Sequence, residues 1–203
     1  MVRVKICGIT TVEDALQAVA AGADALGFVF HDKSPRNISP ENAGAIIRAL
    51  PPFVQTVGLF VNAPIQLVND ISYACGLDLA QFHGDESPEF CALVKRRLIK
   101  AFRIKDRESL APLGSYRVAG YLLDAWVPSA YGGTGHSFNW ELAMEAKRFG
   151  TIILAGGLTP ENVSQAVAQV APYAVDVSSG VESAPGRKDP EKVREFIRQA
   201  KGL

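Results

Sequence analysis

Short β-rich runs alternate with helix-forming segments along this whole sequence, and that alternation limits the fold more than any other feature. Strands are predicted near 3–7, 24–30, 54–61, 78–82, 98–103, 118–124, 151–155 and 174–178. Helices are predicted near 11–21, 40–49, 64–75, 87–96, 106–112, 138–149, 160–171 and 190–201. Strand, helix, strand in repetition builds a parallel sheet through right-handed crossovers. Eight such units in 203 residues leave about 25 residues each, which matches a compact α/β (β/α)8 TIM barrel. An open doubly wound sheet is the competing reading. It would usually hold fewer strands, and a dinucleotide-binding version needs Gly-x-Gly-x-x-Gly after the first strand. Here that junction reads Cys7-Gly8-Ile9-Thr10-Thr11. No linker divides the pattern, so residues 1–203 read as one barrel domain.

Four helix starts repeat one chemical device: Ser39-Pro40-Glu41, Ser87-Pro88-Glu89, Thr159-Pro160-Glu161 and Asp189-Pro190-Glu191. A side-chain oxygen caps free N–H groups, proline occupies the first helical position without losing a bond, and glutamate sits near the positive end of the helix dipole. The least convincing unit is 106–112, which is short. Lys+Arg and Asp+Glu total 21 each, so the basic surplus that nucleic-acid binding needs is missing. No apolar run approaches the ~20 residues of a membrane span. Cys7, Cys75 and Cys91 form no Cys-x-x-Cys pair and suit free thiols in a reducing cytoplasm. The three histidines lack metal-ligand spacing, so neither a metal nor a cofactor is expected.

In a barrel of this kind the chemistry gathers at the carboxyl ends of the strands. The shortlist is therefore Cys7, His31, Asn62, His83, Arg103, Asp124, Gly156-Gly157 and Ser178-Ser179-Gly180. Side chains alternate along a strand. Val4 and Ile6 should face the helices, which turns Lys5 and Cys7 inward; Gly120, Leu122 and Asp124 share a face, as do Asp176 and Ser178. Closure of the ring sets strand 8 beside strand 1, so Lys5 is expected to pair with Asp176. Cys7 reads either as a small buried hydrophobe or, since a nearby cation lowers a thiol pKa, as a functional thiol. Asp124 ends an apolar run, where partial burial would suit it to donate a proton. The glycine loops after strands 7 and 8 stand at this fold's recurring phosphate site. Arg36 follows Ser34-Pro35 in the second loop and offers a fork for a carboxylate. Gly132-Gly133-Thr134-Gly135 reads as either a linker or a lid.

The ordered set of motifs resembles the phosphoribosylanthranilate isomerases of tryptophan biosynthesis. It runs from Lys5-Ile6-Cys7-Gly8-Ile9-Thr10 through Gly27-Phe28-Val29-Phe30, Ser34-Pro35-Arg36, Val57-Gly58-Leu59-Phe60-Val61-Asn62 and Gln81-Phe82-His83-Gly84. It continues with Asp124, Gly132-Gly133-Thr134-Gly135, Phe138-x-Trp140, Leu154-Ala155-Gly156-Gly157-Leu158, Asp176-Val177-Ser178-Ser179-Gly180-Val181-Glu182 and Pro185-Gly186-x-Lys188-Asp189. Two positions depart from the family pattern. Phe82 replaces a leucine and should face the helices; Asn139 stands where Asp is frequent, in a capping position. The resemblance implies an Amadori rearrangement of N-(5-phosphoribosyl)anthranilate, an aminoaldose, to the 1-deoxyribulose 5-phosphate ketose. It implies Asp124 as acid and Cys7 as base, with Lys5, His83 and Asp176 in support. Arg36 would take the anthranilate carboxylate, and Gly156, Gly157, Ser179 and Gly180 the phosphate. The implied partner is a small phosphosugar, with the chain a monomer or homodimer. Two other readings stay open here: the analogous aminoaldose isomerase of histidine biosynthesis, which uses two aspartates, and a non-catalytic phospho-metabolite sensor.

Overall fold

The computed structural model describes residues 1–125 and 140–203. Eight parallel strands close into a barrel in sequence order: β1 (Arg3–Cys7), β2 (Ala25–Phe30), β3 (Gln55–Phe60), β4 (Leu79–Phe82), β5 (Arg97–Ile104), β6 (Gly120–Ala125), β7 (Ile152–Ala155) and β8 (Ala174–Val177). The ring shuts where β8 pairs with β1, with Lys5 opposite Asp176 in register. The connecting helices are α1 (Val12–Ala20), α2 (Pro40–Arg48), α3 (Ile65–Cys75), α4 (Pro88–Cys91), α5 (Trp140–Ala146), α6 (Val163–Val170) and α7 (Pro190–Lys201). Among the described residues no helix is long and apolar enough to cross a membrane. The loop glycines Gly132, Gly133 and Gly135, with Phe138 and Asn139, lie outside the described residues.

Alternation divides the core in two. Outward residues such as Ile6, Phe28, Phe60 and Leu154 pack with the helices. Inward residues Val57, Leu79, Ile99, Ala101, Leu122, Ile153, Ala155 and Ala174 fill the lower barrel. Phe82 faces outward as expected and meets Phe90 of α4 with ring centroids 5.7 Å apart. Three of the four proline starts behave as the sequence predicts: Ser39 accepts from Asn42 N, Ser87 from Phe90 N, and Asp189 from Glu191 N and Lys192 N.

Four local expectations are corrected. The fifth helix is a 3-10 segment, Glu108–Ser115, because Pro112 inside it cannot supply an α-helical N–H. The fourth helix stops at Cys91, and Asn69 Oδ1 takes the Lys95 N–H that a continuing helix would have used. The seventh predicted helix, α6, starts at Val163 rather than Pro160: Asn162 folds back to accept from Thr159 N at 2.8 Å, which makes Thr159–Asn162 a turn. Between β8 and α7 an unforeseen hairpin forms from β9 (Glu182–Ala184) and β10 (Arg187–Lys188), turning at Gly186 with φ +80°.

Candidate active site

A cavity of about 580 Å³ opens at the carboxyl ends of the strands. Nine of the ten predicted site residues line it: Cys7, Arg36, His83, Asp124, Gly156, Gly157, Asp176, Ser179 and Gly180. Lys5 does not; it sits one layer below, toward the opposite mouth of the barrel.

Cys7 ends β1 facing inward, buried beside Val29 and Leu59. Beneath it, Lys5 Nζ donates to Asp176 Oδ1 at 2.8 Å, both side chains over nine-tenths buried. The predicted pair is therefore present. Burial pulls the Lys5 ammonium down, but Asp176 and Cys7 outweigh it, and its pKa stays above the ordinary value. Lys5 does pull the Cys7 thiol down, as the sequence suggests, but it does not decide the net shift. Burial pushes Cys7 up, Lys5 pulls it back only in part, and Asp176 adds to the rise, so its pKa ends above the ordinary thiol value. Gly27 is a requirement that sequence reasoning did not isolate. It lies opposite Cys7 in register, and a Cβ there would stand 2.8 Å from Cys7 Sγ and 3.0 Å from Lys5 Nζ.

Asp124 and His83 face each other from β6 and the end of β4, with His83 Nε2 3.0 Å from Asp124 Oδ2. Behind the ring, Gln81 Nε2 is 3.3 Å from His83 Nδ1. An amide NH2 only donates. In this arrangement Nδ1 therefore accepts, and the ring proton on Nε2 is aimed at the carboxylate. The loop carrying His83 is held by Glu86, which accepts from Asn62 N at 2.8 Å and Gly84 N at 3.0 Å. Lys100 Nζ, buried beside it, donates to Gly84 O at 2.8 Å. Neither Glu86 nor Lys100 stood among the strand-end candidates, so the sequence reading missed this clamp.

Arg36 is half of a fork-to-fork pair: Nε donates to Glu182 Oε1 at 2.8 Å and Nη2 to Glu182 Oε2 at 2.6 Å. Lys188 Nζ donates to the same Glu182 Oε1 at 2.8 Å. Glu182 thus holds two cations, and the trio keeps one surplus positive charge at the cavity wall. Burial raises the Glu182 carboxyl, but Arg36 and Lys188 overcome that and leave it below the usual range. Burial draws Lys188 below its ordinary value. The β9–β10 hairpin brings Glu182 and Lys188 together, and it docks on the first loop through Thr10 Oγ1 to Gly186 O, 2.6 Å. The Pro185-Gly186 dipeptide was the available turn signal.

On the far wall, Gly156 (φ +79°) and Gly157 (φ +66°) take left-handed conformations that favour glycine. Their N–H groups have no backbone acceptor among the described residues. Asn162 Nδ2 donates to Gly157 O at 2.9 Å and fixes the loop. Gly180 passes against the Leu158 carbonyl so closely that no Cβ fits. Ser179–Val181 is a single 3-10 turn whose first N–H groups are free of intrahelical bonds. Together these loops form a concave set of backbone donors beside Cys7, whose carbonyl accepts from Ser178 Oγ at 3.1 Å.

A closed parallel barrel with its titratable side chains and free loop amides gathered at one mouth is the architecture of a TIM-barrel enzyme acting on a small phosphorylated molecule. Comparison with known proteins narrows that class. The family model for N-(5′-phosphoribosyl)anthranilate isomerase matches residues 4–199. The isomerase of that name from Geobacter sulfurreducens is 69% identical over 202 residues, covering 100% of both chains. The crystal structure of phosphoribosyl anthranilate isomerase from Thermotoga maritima superposes with a TM-score of 0.94 at 47% identity over 100% of both chains. The Thermotoga maritima enzyme is described as dimeric. A phosphoribosyl anthranilate isomerase in complex with reduced 1-(o-carboxyphenylamino)-1-deoxyribulose 5-phosphate has a TM-score of 0.91 at 44% identity, again over 100% of both chains. The chain belongs to the N-(5′-phosphoribosyl)anthranilate isomerase family, the aldose–ketose isomerases of tryptophan biosynthesis.

Proposed function

We propose that Cys7 and Asp124 divide the two proton transfers of the isomerisation, with the sugar lying between them and its phosphate on the glycine loops. The observation that carries this reading is that the only inward-facing thiol and the Asp124 carboxyl among the described residues open into one cavity with the loop amides. Asp124 protonates the furanose ring oxygen, which becomes the 4′ hydroxyl as the ring opens to a Schiff base. The Cys7 thiolate then removes the C2′ proton to give an enolamine. Ketone formation adds a proton at C1′ and releases one from the 2′ hydroxyl, so no proton is gained or lost overall. A raised thiol pKa makes the thiolate scarcer and each thiolate a stronger base.

The residual charge of the Arg36–Glu182–Lys188 trio attracts the anthranilate carboxylate, and Glu182 keeps the guanidinium in one orientation before substrate arrives. Gly156, Gly157, Ser179 and Gly180 hold the phosphate through backbone N–H groups. Binding energy from that remote anion orients the ribose for proton transfer. Freshly generated phosphoribosylanthranilate is fluorescent, and decay of that signal measures turnover. Cys7→Ala and Asp124→Asn are each expected to lower kcat by at least about 100-fold with the fold intact; near-wild-type decay in either variant removes that residue from its role.

A cytoplasmic location is supported by three free, buried cysteines, which suit a reducing compartment. The second copy of the chain is a proposed partner. Phe53, 99% exposed, lies at the amino-terminal mouth of the barrel, on the rim of a cavity of about 520 Å³ walled in part by Val57, Leu79 and Ile99. An aromatic ring presented beside an apolar hollow fits a reciprocal contact. Light scattering after size exclusion should give a dimer mass for wild type and a monomer mass for Phe53→Ser; a monomeric wild type overturns this.

A further inference from the structure

Two buried charges stand behind the cavity without entering the proton transfers. Lys100 Nζ lies 3.3 Å from Glu86 Oε2, with the two side chains 3% and 2% exposed. Ile99 and Ala101 of β5 face into the ring, so alternation turns Lys100 toward the helix layer, where its ammonium sits 5.3 Å from the centre of the Phe102 ring. Such a pair adds little stability. Taking both charges out of water offsets most of their attraction, and apolar side chains of similar volume serve as well. Its hydrogen-bond partners are main-chain groups near the carboxyl ends of three strands. Glu86 accepts from Asn62 N and Gly84 N, and Lys100 Nζ donates to Gly84 O and, at 3.0 Å, to Ala101 O.

Those bonds converge on His83. The His83 N–H donates to Phe60 O at 2.9 Å. The next N–H, of Gly84, is held by Glu86 at 3.0 Å. The Gly84 carbonyl is held by Lys100 at 2.8 Å, and the N–H beyond it, of Asp85, donates to Asn62 Oδ1 at 2.7 Å. The peptide planes on both sides of His83 are therefore fixed, and with them its φ and ψ. Asn62, a strand-end candidate from the sequence, finds its place here. In its left-handed conformation, φ +51°, it meets Glu86 through its N–H and Asp85 N through its side-chain oxygen. Gly84 passes so close to the Asn62 side chain that no Cβ fits.

We propose that Glu86, Lys100 and Asn62 are positioning residues for the acid step: they fix the backbone of His83, and His83 in turn holds the Asp124 carboxyl in one orientation toward the sugar ring oxygen. This rests on Asp124 being the acid. The link is the contact of His83 Nε2 with Asp124 Oδ2 at 3.0 Å. With φ and ψ released, the imidazole would swing away from a carboxyl that is itself partly open to the cavity. The anion subsites have separate anchors. Arg36 is bound to Glu182, and the glycine loop after β7 is tied through Asn162 to Gly157 O. Loss of the clamp should therefore slow turnover and leave substrate binding as it was. A purely structural clamp predicts something different: fewer folded molecules, each as active as wild type.

The test is kcat and KM by fluorescence decay, per folded molecule, beside 15N NMR of the full chain labelled at histidine. Lys100→Met alone leaves Glu86 buried and unpaired and can fail to fold. The double variant Glu86→Gln/Lys100→Met removes both charges and keeps the volume. One amide oxygen cannot satisfy both Asn62 N and Gly84 N, and Gly84 O loses its donor. Its kcat should fall about tenfold or more, with KM within about twofold of wild type. Asn62→Gly keeps the left-handed backbone and removes only the bond to Asp85 N. Its kcat should fall about two- to fivefold, with KM again unchanged. In both variants the His83 ring signals should shift or broaden while those of His31 stay in place. Wild-type turnover per folded molecule in either variant overturns the proposal. So does a KM that rises as much as kcat falls, or a His83 ring whose signals do not change. If instead Asp124→Asn keeps its turnover, the acid assignment fails while the His83 signals still respond to the clamp, so the two failures are distinguishable.

Discussion

Gly27→Ala is the sharpest test of how the barrel sets the position of the proposed base, Cys7. The added Cβ points into the ring, where it would lie 2.8 Å from Cys7 Sγ, 3.0 Å from Lys5 Nζ and 3.1 Å from Cys7 Cα. Ordinary contacts lie at about 3.5–4.0 Å, so the overlap with sulfur is about 0.7 Å or more. Little nearby can yield. Lys5 is tied to Asp176 at 2.8 Å, and Cys7 is held in parallel ladder register with Gly27 of β2. The thiol has to move by most of the overlap. A misplacement near 1 Å costs about 100-fold in rate, or about 2.7 kcal/mol of barrier. Overpacking the same spot costs about 1–3 kcal/mol of stability. The expected outcome is a kcat/KM about 100-fold lower by fluorescence decay, in a protein whose urea midpoint falls but whose circular dichroism is unchanged. A variant within about twofold of wild type would show that the thiol position is not set by the missing Cβ, and the packing argument would be wrong.

Two other substitutions probe the buried charges. Lys5→Met leaves Asp176 buried and unpaired, which should cost about 3–5 kcal/mol in denaturant unfolding. It also removes the cation that holds the thiol down, so the rise of kcat/KM with pH should shift to higher pH; an unmoved profile rejects the role of Lys5. Glu182→Gln strips Arg36 and Lys188 of their shared anion and should raise KM more than it lowers kcat, as loss of an orienting contact does. The same carboxyl is depressed in the folded state, so its stabilisation is present above the unfolded value of about 4.3 and is lost as pH falls through the lower folded value. Glu182→Gln should therefore flatten the acid side of the stability profile, and a profile parallel to wild type would contradict the assignment.

Much of the scaffold was readable because it depends on local periodicities. Alternation along β1 and β8 was enough to turn Lys5 and Asp176 inward, and ring closure then made them neighbours across 171 residues. Alternation also predicted that Phe82 would pack on the helices. The helix expectations failed where a side chain, near or distant, took a backbone N–H or where a proline stood inside the segment. Asn69 ends α4 early, Asn162 delays α6, and Pro112 converts the fifth helix to a 3-10 segment.

From the order of its residues alone, this chain determines an eight-unit barrel, the mouth where chemistry gathers and most of the side chains that line it. The period of a strand and the capping of a helix are properties of neighbours in the chain. What each site residue does there was decided only in three dimensions. The Cys7 thiol is raised rather than lowered because burial outweighs one cation. Arg36 is oriented by Glu182, 146 residues away, and His83 by an amide whose oxygen has no partner among the described residues. Desolvation and hydrogen-bond pairing depend on everything packed around a group, and no pattern of adjacent residues specifies that sum.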